Sequence, residues 1–197
     1  MNIWPSAFGS SRCTRFACLL SALVGLVLVS GCAGTFKEVK PLSSSQPPAE
    51  RPKEIAVGDI RITDARLSAP EQVTMAYAFR LGVEKWCVAK KGLTYVGETN
   101  STVGRIVLSG IIQEVEKGSA AARFWVGMGA GQARVQGEFT LFGQDGSELT
   151  RFSARKSYLG GVGAGGWDML ELKELVSRLG EVAAETTDKW LRGEKLK

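Results

Sequence analysis

Hydrophobic positions along this chain change period several times, and each change marks an element. From Ile60 to Thr63 apolar and polar residues alternate, which predicts a strand in a domain beginning near Val57. Ser68-Ala-Pro-Glu71 sets serine three residues ahead of glutamate, with proline in the first turn, and predicts a helix start. Met75, Phe79, Gly82, Val83, Trp86 and Cys87 then recur at helical spacing and predict one apolar face, with Gly92 as the stop. Leu93–Val96 reads as a short strand. Gly104–Val115, apolar on both faces, reads as a central one. Ala133, Val135, Gly137, Phe139 and Leu141 alternate with Arg134, Gln136, Glu138 and Thr140, the pattern of a half-buried strand. Asp145-Gly146 predicts a hairpin turn into a further strand near Leu149–Tyr158. Asp168 and Glu171 cap a last helix whose apolar stripe runs through Leu172, Leu175, Val176, Leu179, Val182, Ala183 and Trp190.

Strand, helix, several strands, helix is an α+β order. It predicts a mainly antiparallel sheet of about four to five strands with two amphipathic helices packed on one face. The domain is expected over residues 57–193, followed by a basic tail, 194–197. That tail reads either as a frayed helix end, where cations suit the macrodipole, or as a contact for anionic head groups.

The first 31 residues follow another rule. Arg12 and Arg15 precede an apolar run from Phe16 to Gly31 that ends in small residues, the layout of a secretory signal peptide. The run is short against the roughly 20 residues a spanning helix needs. Its end, Val29-Ser30-Gly31-Cys32, resembles the bacterial lipobox. That resemblance implies cleavage by signal peptidase II before Cys32, acylation of its thiol and a membrane anchor there. Ala33 stands where lipoproteins retained in the inner membrane of enteric bacteria often carry aspartate, which implies the outer membrane, on its periplasmic face. Residues 32–56, with Pro41, Pro47, Pro48 and Pro52 and a serine triplet, are expected to be an extended tether.

Composition narrows the chemistry. The 197 residues are 44% hydrophobic and 23% charged, a globular balance, and contain no histidine. Ser-His-Asp, Cys-His and His-zinc sites are thereby excluded, and no metal or cofactor is expected. The net charge of +5 falls to +3 once Arg12 and Arg15 leave with the signal, too mild for a nucleic-acid partner. Cys13 and Cys18 leave with them; Cys87 remains without a disulfide partner and reads as a small buried hydrophobe rather than a nucleophile. Gly161, Gly163 and Gly166 spell a dinucleotide fingerprint, but no second parallel strand follows, so they read as a connector.

A second glycine cluster, Gly127, Gly129 and Gly131, stands beside Phe124, Trp125 and Met128. It reads either as a bent strand filling the core or as a partner surface, an aromatic anchor beside accessible backbone. The stretch "RFWVGMGAGQARVQGEFTLFGQDGSELTRF", Arg123 to Phe152, resembles a family of Gram-negative lipoproteins described as domain of unknown function 4410, most specifically over Val126–Val135. The resemblance covers roughly residues 55–160 and implies a compartment and a fold, with no established activity. The chain departs from the family after residue 160, where a charged amphipathic helix replaces glycine- and alanine-rich sequence.

Three functions stand against one another. The first is a non-catalytic adaptor, anchored at Cys32, whose sheet or helix face docks on an envelope protein. The second is a lipid- or glycan-binding module, which asks for an apolar or aromatic cleft between helix and sheet. The third is an enzyme drawing on Asp64, Glu71, Glu84, Glu98, Glu114, Glu138 or Asp145, although no spacing selects a pair among them.

Overall fold

The computed structural model describes residues 34–43, 45–99, 105–118, 132–159 and 172–196. Its elements, in order, are β1 (Gly34–Pro41), β2 (Glu54–Ile62), α1 (Ala69–Lys90), β3 (Thr94–Glu98), β4 (Ile106–Glu116), β5 (Ala133–Phe142), β6 (Glu148–Leu159) and α2 (Leu172–Leu191). The strands form one six-stranded sheet in the order β1-β6-β5-β4-β2-β3.

The fold is α+β with two helices on one face, but the sheet is mixed and larger than expected. β4, β5, β6 and β1 pair antiparallel, whereas β2 pairs parallel with both β3 and β4. The β2–β3 pair follows from α1. A strand that leaves through a 22-residue helix returns to the same end of the sheet, as a parallel neighbour requires. Alternation alone does not encode that direction.

The expected tether is also corrected. Residues 34–41 are not a free linker; they pair along β6 from Gly34↔Leu159 to Pro41↔Phe152 as an edge strand. The N–H groups of Leu42 and Ser43 both donate to the Arg151 carbonyl, at 2.8 and 3.2 Å, extending that seam. Edge position explains why the pattern hid it. Only Val39 of β1 packs on the core, and its lysines suit an edge that must not recruit other strands.

The helix start is as the pattern predicts. Glu71 Oε2 accepts from the backbone N–H of Ser68 at 2.8 Å and from its hydroxyl at 2.6 Å, and proline occupies the first turn. α1 buries Met75, Phe79, Val83 and Trp86. Phe79 stacks on Phe139 of β5 at 5.0 Å, and Phe139 meets Phe152 of β6 at 5.7 Å. α2 packs against α1, β5 and β6 through Leu175, Val176, Leu179 and Ala183, all essentially inaccessible. The hairpin turn also stands: Gly146 has φ 81°, and the Gly143 N–H donates to the Ser147 carbonyl at 2.8 Å.

Candidate functional site

α1 is apolar on more than its buried side. Val73, Tyr77, Leu81 and Val88 are 70%, 56%, 42% and 72% exposed. At 100° per residue these four fall within an arc of about 80°, in a stripe roughly 22 Å long, interrupted on that arc by Glu84. One face of α1 is therefore in the core and the opposite one carries an apolar stripe open to solvent in this chain. The sequence reading missed the stripe, because its residues only blurred the periodicity of the buried face. The signal was there in the i, i+4, i+8 spacing of Val73, Tyr77 and Leu81.

The face of the sheet away from the helices is different. Across β1, β6, β5 and β4 it presents Glu38, Arg155, Gln136, Arg134, Glu114 and Glu116. Arg155 donates to Gln136 at 2.8 Å and to Glu38 at 3.2 Å, and Arg134 bridges Glu114 and Glu116. Opposite charges lie beside one another, so this face neutralises itself.

A third surface is a groove of about 820 Å³ beside α2, walled by Thr35 and Lys37 of β1, Lys156 of β6 and the end of α1 at Trp86, Lys90 and Gly92. Glu185 accepts from Lys37 through both oxygens at 2.8 Å and from Lys189 at 2.7 Å. Burial opposes the Glu185 charge, but those two lysines hold its carboxyl below the usual range. Asp188, 4% exposed, is paired with Arg51 and, at 2.9 Å, with Arg192. The lining of this groove is mostly charged, with Trp86 and Val182 as its large apolar residues.

The carboxylates named as enzyme candidates are mostly engaged in the fold. Asp64 is buried against Arg66; Glu71 caps α1; Asp145 accepts from Ser147 in the hairpin turn. Glu98 lies 3.4 Å from Arg80, and Glu114 3.1 Å from Arg134. Glu84 and Glu138 are exposed on separate elements. Among the described residues no group of three His, Cys, Asp or Glu side chains is placed to hold a metal. Cys87 is buried, and burial, with Asp188 and Glu84 nearby, pushes its thiol up to about 11.

Cys32, the segment holding Phe124, Trp125, Gly127, Met128, Gly129 and Gly131, and the Gly161–Gly166 string all lie outside the described residues. Among the described residues no helix is long and apolar enough to cross a membrane.

The family resemblance stands over part of the chain. Residues 87–162, from the end of α1 through β6, match the family described as Domain of unknown function (DUF4410). No curated protein matches the chain in sequence. Among solved structures, the PelC dodecamer from Paraburkholderia phytofirmans is 16% identical, with 78% of this chain and 97% of that chain covered at a TM-score of 0.47. A variant of the same dodecamer in another crystal form gives the same identity and coverage at 0.45. A Xanthomonas campestris protein of family model DUF330 is 8% identical over 77% of this chain and 93% of its own, at 0.41. All three are loose likenesses.

Proposed function

We propose that this chain is an envelope lipoprotein, anchored through acylated Cys32 at the periplasmic face of the outer membrane, and that it acts as a non-catalytic adaptor docking an envelope protein on α1. The observation that carries the reading is the exposed stripe of Val73, Tyr77, Leu81 and Val88. Burying one such side chain is worth about 1.5–3 kcal/mol, so four in a row supply the apolar centre of an interface. Tyr77 is the natural anchor, with an apolar ring and a hydroxyl that remains wet at the rim. A helix laid against a partner's groove is a common recognition mode, read through anchors three, four and seven residues apart; here the steps are four, four and seven.

The start of the sheet supports a short anchor. β1 begins at Gly34, two residues after Cys32, so an acylated Cys32 would hold the domain against the bilayer rather than tens of ångströms above it. The partner would therefore be met close to the membrane.

The test is photo-crosslinking in intact cells from position 77, with mass spectrometry of the adducts. A discrete adduct with one envelope protein, lost on Leu81→Glu, supports the reading. No adduct from a folded, membrane-associated chain would overturn it. The same probe at position 125 examines the segment 124–131 as a second contact.

A further inference from the structure

Three residues stand side by side across the core-facing row of the sheet: Val135 of β5, Lys156 of β6 and Lys37 of β1. Val135 is inaccessible, Lys156 half-buried and Lys37 exposed at the edge, so the row leads from the core into the groove beside α2. Two lysines directly opposite on neighbouring strands repel each other. Arg178 of α2, whose guanidinium also donates to Glu174 at 3.0 Å, adds a third cationic side chain to the same groove. Burial first, then Arg178 and Lys37, lower the pKa of the Lys156 ammonium below its ordinary range, while Glu181 and Glu185 act the other way.

The acids of the groove are already engaged. Glu185 is shared by Lys37 and Lys189, Asp188 by Arg51 and Arg192, and Glu181 lies 3.1 Å from Lys85. The Lys156 ammonium makes no hydrogen bond or ion pair among the described residues. Seven cationic side chains line the groove against three acidic ones; Glu174 and Glu194, outside the lining, pair with Arg178 and Arg192, and an excess of positive charge remains around the half-buried Lys156.

We propose that this groove binds a phosphoryl group, with Lys156 at its floor and Lys37 and Arg178 at its walls. A phosphoryl group offers several oxygens to cations arriving from three elements, and charge-assisted bonds are strongest in such a partly desolvated place. Its source is either a phospholipid head group or a soluble phosphate ester. The head-group source rests on the anchored reading above, since Lys37 lies five residues after Cys32; the charge imbalance does not.

The experiment titrates the full-length chain, purified in a non-ionic detergent, with inorganic phosphate, with glycerol 3-phosphate and with phosphatidylglycerol mixed into the micelles, read by calorimetry. The expected result is saturable binding of at least one probe, weakened about tenfold in Lys156→Gln and in Lys37→Gln. Arg151→Gln, on the opposite sheet face, should bind as the parent does. In low-salt, phosphate-free buffer Lys156→Gln should melt no lower than the parent, because it relieves repulsion; this separates lost binding from lost folding. Binding of phosphatidylglycerol alone names the head group, and equal binding of glycerol 3-phosphate names a soluble ester. Absence of saturable binding with all three probes, or binding unchanged in both lysine variants, overturns the proposal. Neither result bears on α1, so the adaptor reading stands or falls separately.

Discussion

Gly82 of α1 lies so close to Ser177 of α2 that a β-carbon on the glycine would sit 1.8 Å from the serine carbonyl oxygen. The contact is reciprocal, since a β-carbon on Gly180 would sit 2.1 Å from the carbonyl oxygen of Phe79. These two glycines set the approach of the helices, and with it how far α1 sinks into the core and which of its residues are left outside. Gly82→Ala must separate the helices, because backbone oxygens cannot swing away as a side chain does. We expect a loss of about 3 kcal/mol, the upper end for overpacking, in urea unfolding. The Gly82→Ala, Gly180→Ala double variant should lose less than the sum, because one separation relieves both clashes.

Asp64 ties the end of β2 to β4. It takes Nε of Arg66 at 2.9 Å, the Arg66 N–H at 3.0 Å and the Val115 N–H at 2.8 Å, just past the register shift after Ile112. The Arg66 side chain, against the cost of burial and with help from the two backbone N–H groups, holds the carboxyl well below the usual carboxylate range. The folded pKa thus lies below the unfolded one, near 3.9, so the stabilisation is fully present above about pH 5 and drains away as the pH falls through the folded pKa. Asp64→Asn should cost about 2 kcal/mol at neutral pH and flatten the acid limb of stability against pH. Parallel acid limbs in the two proteins would contradict this role.

Cys87 is expected to be inert. A thiol pushed up to about 11, on a residue 4% exposed, is rarely a thiolate at neutral pH. Iodoacetamide labelling followed by peptide mass spectrometry should modify Cys87 slowly in the native chain and rapidly in urea. Fast native labelling would revive a nucleophilic role.

The end of α1 separates two residues that the sequence merges. Gly92 was the expected stop, but Lys91 takes the left-handed conformation, at φ 53° and ψ 20°, with its N–H on the Cys87 carbonyl at 3.0 Å. Gly92 serves Asp188 instead: a β-carbon there would lie 2.8 Å from Oδ1 of a carboxylate already held by Arg51 and Arg192. Lys91→Gly should therefore stabilise by about 1 kcal/mol, and Gly92→Ala should destabilise, both read from thermal melting.

Much of the fold was legible wherever a local rule decided it. The capping box at Ser68 and Glu71, the alternation from Ala133 to Leu141 and the Asp145-Gly146 turn each carry their own geometry. β1 was not legible, because its core-facing side offers Thr35 and Lys37 with a single valine, and of the prolines that suggested a tether Pro41 ends it and the rest follow it. Strand direction was hidden too, since parallel pairing of β2 with β3 comes from the path of α1 and not from alternation. The outer stripe of α1 was masked in another way: Val73, Tyr77, Leu81 and Val88 look like extra core until Phe79 and Gly82 show which side is inside. The repulsion of Lys37 and Lys156 is a matter of register between residues over a hundred positions apart, which no local pattern contains.

The central claim is that the outer stripe of α1 is covered in the envelope. Carbene footprinting of Tyr77 and Leu81, compared between the purified chain and intact cells, reads that directly. Both residues should be modified in the purified chain and strongly protected in cells, while Glu138 on the opposite sheet face is modified equally in both. Equal modification of Tyr77 and Leu81 in the two settings would mean that nothing docks on α1, and the adaptor reading would fall.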